Sequence, residues 1–438
     1  MRRLHALVAF ALAALAGPAA AAEISRVATS GEPGNPFDLD LGVRWDRTVE
    51  SATITREGTD ERLRYTRTRN AIVPRLAIGL WNDLEVHFEM PYVLGDDRQW
   101  RYGMFHGKAS GPNPTNPNTI AGNTVDASGQ PCAAGVCPLF PVKDAGYHGG
   151  RAGDLTAGIS WGIFNDRKDD TKPFWLVGMD LTIPTAAKWE PGKDRTSDTW
   201  VSPYALQTNP GPFGEKIWKW DVYTVLSKRY AYVDPYLKAH AQIAFKSAST
   251  YSNCDAVTEA TAANPRQMNA AAVANCGSWS AADTGAQLPF VAGLTFGSEF
   301  IPYEDAKEGQ KFSIDLRFFS ELTSRQRFYN ELSDATGKLL MTEGYMEFGG
   351  LLGLYLRASQ YLQLQARASL SMRTSHDLTG ESLGKSGAWP AVNPATGVAT
   401  DPSLTNPNFD WRYDAPGHRF RATEIGIFEL SVGGVLQF

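Results

Sequence analysis

Phe428-Glu429-Leu430-Ser431-Val432-Gly433-Gly434-Val435-Leu436-Gln437-Phe438 closes the chain. Large apolar or small residues occupy every even position of this stretch. The odd positions are polar or small, Val435 excepted. Side chains of a strand alternate between faces, so one face of this segment suits lipid and the other mostly does not. A tilted membrane-crossing strand needs about 9–11 residues. A terminal aromatic on such a strand is the expected closing element of a Gram-negative outer-membrane β-barrel, and Phe438 is read as the signal seen by the assembly machinery.

The other end of the chain agrees. Arg2 and Arg3 precede an apolar stretch from Leu4 to Ala16, and Ala20 and Ala22 fit an A-x-A cleavage site before Glu23. The run is short for a membrane anchor, so residues 1–22 are read as a cleaved signal peptide. Residues 23–438 are read as one barrel domain.

Composition narrows the class. No run of about 18 uncharged apolar residues survives beyond the leader, and mean hydropathy is below zero. That is how a barrel conceals itself, because outward and inward residues alternate. Glycine is abundant at 41 and aromatic residues make up 11%, which suits tight turns and interfacial girdles. Without Arg2 and Arg3 the chain carries 40 basic residues against 47 acidic ones. A nucleic-acid partner is excluded on that balance.

Eleven further segments alternate like the last. The cleanest sets Leu84, Val86, Phe88, Met90 and Tyr92 against Glu85, His87 and Glu89. A charge facing lipid at mid-bilayer costs ~2–4 kcal/mol, so the apolar rows must look outward. The segment from Leu288 to Phe300 is the least regular. Connections alternate long and short, with short ones at 81–83, 165–173, 227–234, 301–310 and 358–361. Barrels have short periplasmic turns and long outer loops. The expectation is an all-β, up-and-down antiparallel barrel of about 12 strands, both termini periplasmic, in the bacterial outer membrane. Trp81, Trp175, Tyr230, Tyr232, Tyr303, Tyr361 and Phe438 fall near the short turns. Trp45, Tyr92, Trp218 and Trp220 fall near the long loops.

Cys132, Cys137, Cys254 and Cys276 form two local pairs, each inside one long loop. C-x4-C without a nearby histidine is a poor zinc pattern. In an oxidising space the expected links are Cys132–Cys137 and Cys254–Cys276.

The segment Ile72–Val93, with its Trp-Asn-Asp turn and its run to Met90-Pro91-Tyr92, resembles the family of outer-membrane transporters related to the meta-pathway phenol-degradation protein. Gly153-Asp154-Leu155 and Leu181-Thr182-Ile183-Pro184-Thr185 extend the resemblance, which covers Asn70 to the C-terminus. It implies a channel admitting small, often aromatic, compounds, with no catalytic motif. The long loop holding Cys132 and Cys137 departs from that pattern.

Alternation gives a lumen row of Arg44, Glu85, His87, Glu89, Asp180, Lys219, Lys238, Asp315, Arg317, Glu347 and Arg367. Glu85, His87 and Glu89 share a face and raise the thought of a metal site, but lumens are polar by default. No metal, no cofactor and no enzymatic activity are expected. Expected partners are outer-membrane lipid and lipopolysaccharide, the barrel-assembly machinery and a small-molecule solute. Two alternatives compete with a channel. One is a surface receptor or adhesin acting through long loops, which predicts a plugged lumen. The other is a hydrolase, which needs a Ser/His/acid set; no G-x-S-x-G occurs. Twelve strands predict a narrow lumen, partly closed by the 94–152 loop.

Overall fold

The structure is a computed structural model that describes residues 22–28, 38–57, 62–102, 104–105, 108–109, 144–166, 169, 171–191, 213–254, 276, 279–305, 307–384 and 404–438. Twelve strands form the wall: β1 (Asp38–Arg56), β2 (Arg62–Trp81), β3 (Leu84–Glu89 and Tyr92–Tyr102), β4 (Asp144–Ala152 and Leu155–Phe164), β5 (Phe174–Ile183), β6 (Ile217–Ser227), β7 (Val233–Lys246), β8 (Phe290–Asp305), β9 (Gln310–Thr323), β10 (Tyr345–Ser359), β11 (Leu362–Arg373) and β12 (Phe420–Gln437). Each pairs antiparallel with its chain neighbours. β1 pairs with both β2 and β12, which closes the ring. At the seam Phe438 N–H donates to Leu39 O at 3.0 Å and Leu39 N–H donates back at 3.1 Å.

Closure leaves the wall without an edge, the one way a sheet can sit in lipid. The outward rows are apolar: Leu41, Leu294, Phe296, Phe318, Leu352 and Leu370 are exposed on the outer surface. The chain is therefore an outer-membrane barrel. Exposed Trp81, Tyr230, Tyr232, Tyr303, Tyr361 and Phe438 ring the short-turn end. Asn82 and Asp83, both at positive φ, make a two-residue turn between β2 and β3, as tight hairpins require.

The strands outrun their alternation. β1 and β2 stay paired from Asp38↔Gly79 to Thr55↔Arg62, so the long connection 46–70 is mostly strand. β3 breaks at Met90 and Pro91, and β4 at Gly153 and Asp154. The segment from Leu288 to Phe300, expected to be the least regular, pairs without a break from Val291 to Phe300, and the β8–β9 register shifts only beyond it, between Phe300 and Tyr303.

Two pieces fill the bore. Glu23–Ser25 is a short 3-10 turn, and residues 22–28 contact β1, β3, β6, β8 and β11 near their short-turn ends. At the opposite end residues 324–344, 374–384 and 404–419 fold inward. Leu332, Ala335, Leu340, Leu378 and Tyr413 pack against Ala52, Ile54, Leu63, Tyr65 and Trp100 of the wall. Burying that apolar face is worth about 25 cal/mol per Å², so the cap holds itself down. The expected closure by the 94–152 loop lies mostly outside the described residues; among the described residues, it is these two other connections that pack into the bore. Cys254 and Cys276 are bonded, with Cα atoms 5.7 Å apart. Cys132 and Cys137 lie outside the described residues, as do residues 1–21 of the expected signal peptide.

Candidate functional site

The interior is a stack of ion pairs set by strand register. On β1 to β5, Arg44 grips Glu89 with two hydrogen bonds of 3.2 and 3.0 Å. Arg75 reaches Glu85 at 2.8 Å. His87 lies between carboxylates, with Nε2 2.9 Å from Asp180 and Nδ1 3.1 Å from Glu85. Gly158 makes room for this pair, since a Cβ there would stand 2.2 Å from both His87 Nε2 and Asp180 Oδ1. Gly178 does the same for the Tyr223 ring, whose hydroxyl meets Ser160 at 2.8 Å.

Across the bore, Tyr236 donates to Asp315 at 2.5 Å, and Arg317 donates to Asp315 at 2.5 Å and to the Tyr355 hydroxyl at 3.1 Å. Lys238 stands over the Tyr223 ring, 4.6 Å from its centroid. Arg367 donates to Ser431 at 3.2 Å, and its Nε has no partner. Among the described residues, neither Lys238 nor Arg367 has a carboxylate within ion-pair distance.

The sequence-derived residues divide by height. Arg44, Glu85, Lys238, Arg317 and Arg367 line one cavity of about 300 Å³ with Glu23 and Arg26 of the inserted segment. His87, Glu89 and Asp180 line a neighbouring one of about 200 Å³. Asp315 is buried behind Arg317. Lys219 and Glu347 stand apart, toward the cap: Lys219 pairs with Glu215 at 2.8 Å, and Glu347 with Arg373, which also holds Glu50. Alternation missed the inserted segment. Arg26 pairs with Asp40, and Ala28 N–H donates to Glu85 at 2.7 Å. Six residues, of which only Glu23, Ser25 and Arg26 are polar, have no periodicity to read; the only signal was their position after the expected cleavage site.

The cap has its own charged core. Arg412 binds Asp410 at 2.6 Å; burial acts upward on Asp410, but Arg412 holds it below the usual aspartate range. Burial pushes Asp414 up to about 6, with Lys338 pulling it down and Glu381 adding to the rise. Arg98 crosses from β3 to Asp334 of the cap at 2.5 Å and lies 3.9 Å over the Trp189 ring.

Among the described residues, no group of histidine, cysteine and carboxylate side chains is arranged to hold a metal. His87 and His240 both face carboxylates rather than serine hydroxyls.

The class this geometry defines is a closed, charge-lined outer-membrane barrel. No protein-family model matches the sequence, and no curated protein does. Solved structures similar to it include an outer membrane channel from Pseudomonas putida F1, at 12% identity over 93% of this chain and 100% of that one, with a TM-score of 0.42. A Pseudomonas aeruginosa FadL homologue is similar at 7% identity over 91% and 90%, with a TM-score of 0.35. The beta domain of the Bordetella autotransporter BrkA is similar at 9% identity over 91% and 99%, with a TM-score of 0.34. Likenesses this distant say nothing about solute or mechanism.

Proposed function

We propose that this chain is a non-enzymatic outer-membrane channel that admits small molecules by passive or facilitated diffusion. The carrying observation is the charged cavity of about 300 Å³ inside the bore, lined from β1, β2, β3, β7, β9, β10, β11 and β12. A wall that existed only to carry loops has no need of buried arginines and lysines around an open space, because each costs desolvation. The family resemblance of the sequence points to small, often aromatic, solutes. Lipid, lipopolysaccharide and the assembly machinery are the partners such a barrel meets in place.

The receptor reading has one observation in its favour, since residues 22–28 and the cap occupy part of the bore. For a channel these blocks must move. The test is reconstitution: conductance in planar bilayers and solute-driven swelling of liposomes are expected. A silent bilayer and unswollen liposomes, from protein with intact heat-modifiable gel mobility, would transfer the function to the outer loops.

A further inference from the structure

Where the inserted segment meets the wall, the buried charges do not balance. Asp234 of β7 and Glu299 of β8 are register partners, and both are 0% exposed. Lys311 of β9, 3% exposed, lies 2.7 Å from Glu299. Glu23 brings a third carboxylate, 3.8 Å from Lys311, with Arg357 acting on it from further out. Arg26 is committed to Asp40. Three carboxylates thus face two cations in a largely buried cluster, and among the described residues Asp234 has no side-chain hydrogen-bond partner, only the Ala22 backbone N–H acting on it. An uncompensated buried charge of this kind is strongly destabilising.

The backbone nitrogen of Glu23 points into this cluster and donates to Glu299 at 2.6 Å. Ala22, fully buried, lies beside it. We propose that cleavage of the Ala22–Glu23 bond creates the missing cation, and that the new α-ammonium of Glu23, held by Glu299 and Asp234, locks the N-terminal segment into the floor of the bore. Water adds across the amide. The Ala22 acyl carbon leaves as a carboxylate with the leader, and the Glu23 nitrogen takes up protons to become an ammonium. One amide donor becomes three, with a positive charge, and departure of Ala22 clears space toward Asp234. The other contacts of the segment are neutral or already balanced: Ser25 to Ser227 at 3.1 Å, and Ala28 N–H to Glu85. Processing of the leader and closure of the bore are therefore one event, and an unprocessed chain lacks the charge that seats the segment.

This rests on export and cleavage after Ala22, and the first measurement isolates that premise. N-terminal sequencing of protein from the outer membrane should begin at Glu23; another first residue overturns the lock and leaves the channel reading intact. The second measurement is amine labelling near neutral pH. An acylating reagent prefers the α-amine there, whose pKa is about 8 against about 10.4 for lysine. In the folded barrel Glu23 should label roughly tenfold or more slowly than in denatured chain, as for a group reached only by local opening. Glu299→Gln and Asp234→Asn should each restore fast labelling while the folded gel mobility persists. A chain with one glycine inserted between Ala22 and Glu23, all wall side chains intact, should lose protection too; it decides the matter if the acid variants fail to fold. Fast labelling of the unaltered barrel, or protection that survives in the glycine-inserted chain, overturns the proposal.

Discussion

Lys238 and Arg367 line the cavity with no carboxylate partner among the described residues, whereas Arg44, Arg75 and Arg317 are each neutralised by a neighbour. A solute in that space meets a net positive field. At ~6 Å in water, one unit charge is worth about 0.7 kcal/mol in favour of an anion and as much against a cation, roughly a tenfold change in their ratio. Lys238→Gln and Arg367→Gln should each shift the anion-to-cation permeability ratio toward cations by about that factor, read as a reversal potential in a salt gradient. An unchanged reversal potential in both variants would place the constriction elsewhere. At this scale the sequence was readable where alternation holds: the facing of Glu85, His87 and Glu89 followed from Leu84, Val86 and Phe88 opposite them. Which charges cancel was not readable, because pairing across strands depends on register. Arg44 meets Glu89 across 45 positions and Arg373 meets Glu50 across 323.

Strands were legible within the membrane and illegible beyond it. Each of the twelve alternating segments lies in one wall strand, but alternation ends where lipid ends, while hydrogen bonding continues. β2 thus extends back to Arg62, well before the periodic run at Ile72. The inward face of those extensions mixes apolar residues such as Leu63 and Tyr65 with buried charges such as Asp96 and Arg98, because it meets the cap rather than water, which breaks the pattern. Leu352, mid-length in β10 and facing out, is paired with Leu316 and Ala368. Leu352→Arg should cost ~2–4 kcal/mol, read as a lower unfolding midpoint in urea from lipid vesicles. Charge at the adjacent inward position is a different matter, since Gly353 lies beneath the Tyr355 ring and a Cβ there would be 2.9 Å from it. Equal tolerance of arginine at Leu352 and at a solvent loop would mean that this face of β10 does not meet lipid.

The molecule as a whole is a tube stopped at two heights, and resistances in series add. Residues 22–28 occupy the short-turn end, and the cap, pinned by Arg98–Asp334 and by Trp100 Nε1–H donating to Glu331 O at 2.7 Å, occupies the other. The topology that sets this up was visible in the rhythm of long and short connections. The inward fold of the 324–344 connection was not, because its apolar residues Leu332, Leu339 and Leu340 find their partners on β1, β2 and on other loops far away in the chain. If both stops obstruct the same path, removing either alone leaves the other limiting. Deleting residues 23–28 should raise conductance only slightly, and so should replacing residues 326–342 by a short glycine-serine turn between Arg325 and Glu343. The double variant should exceed the sum of the two increments, the non-additivity expected of coupled elements. Single-channel recordings of the four proteins in one salt give the comparison. If deleting the N-terminal residues alone produces the full open conductance, the cap does not obstruct the path and solute passes beside it. If strictly additive increments appear, the two stops guard parallel routes rather than one bore.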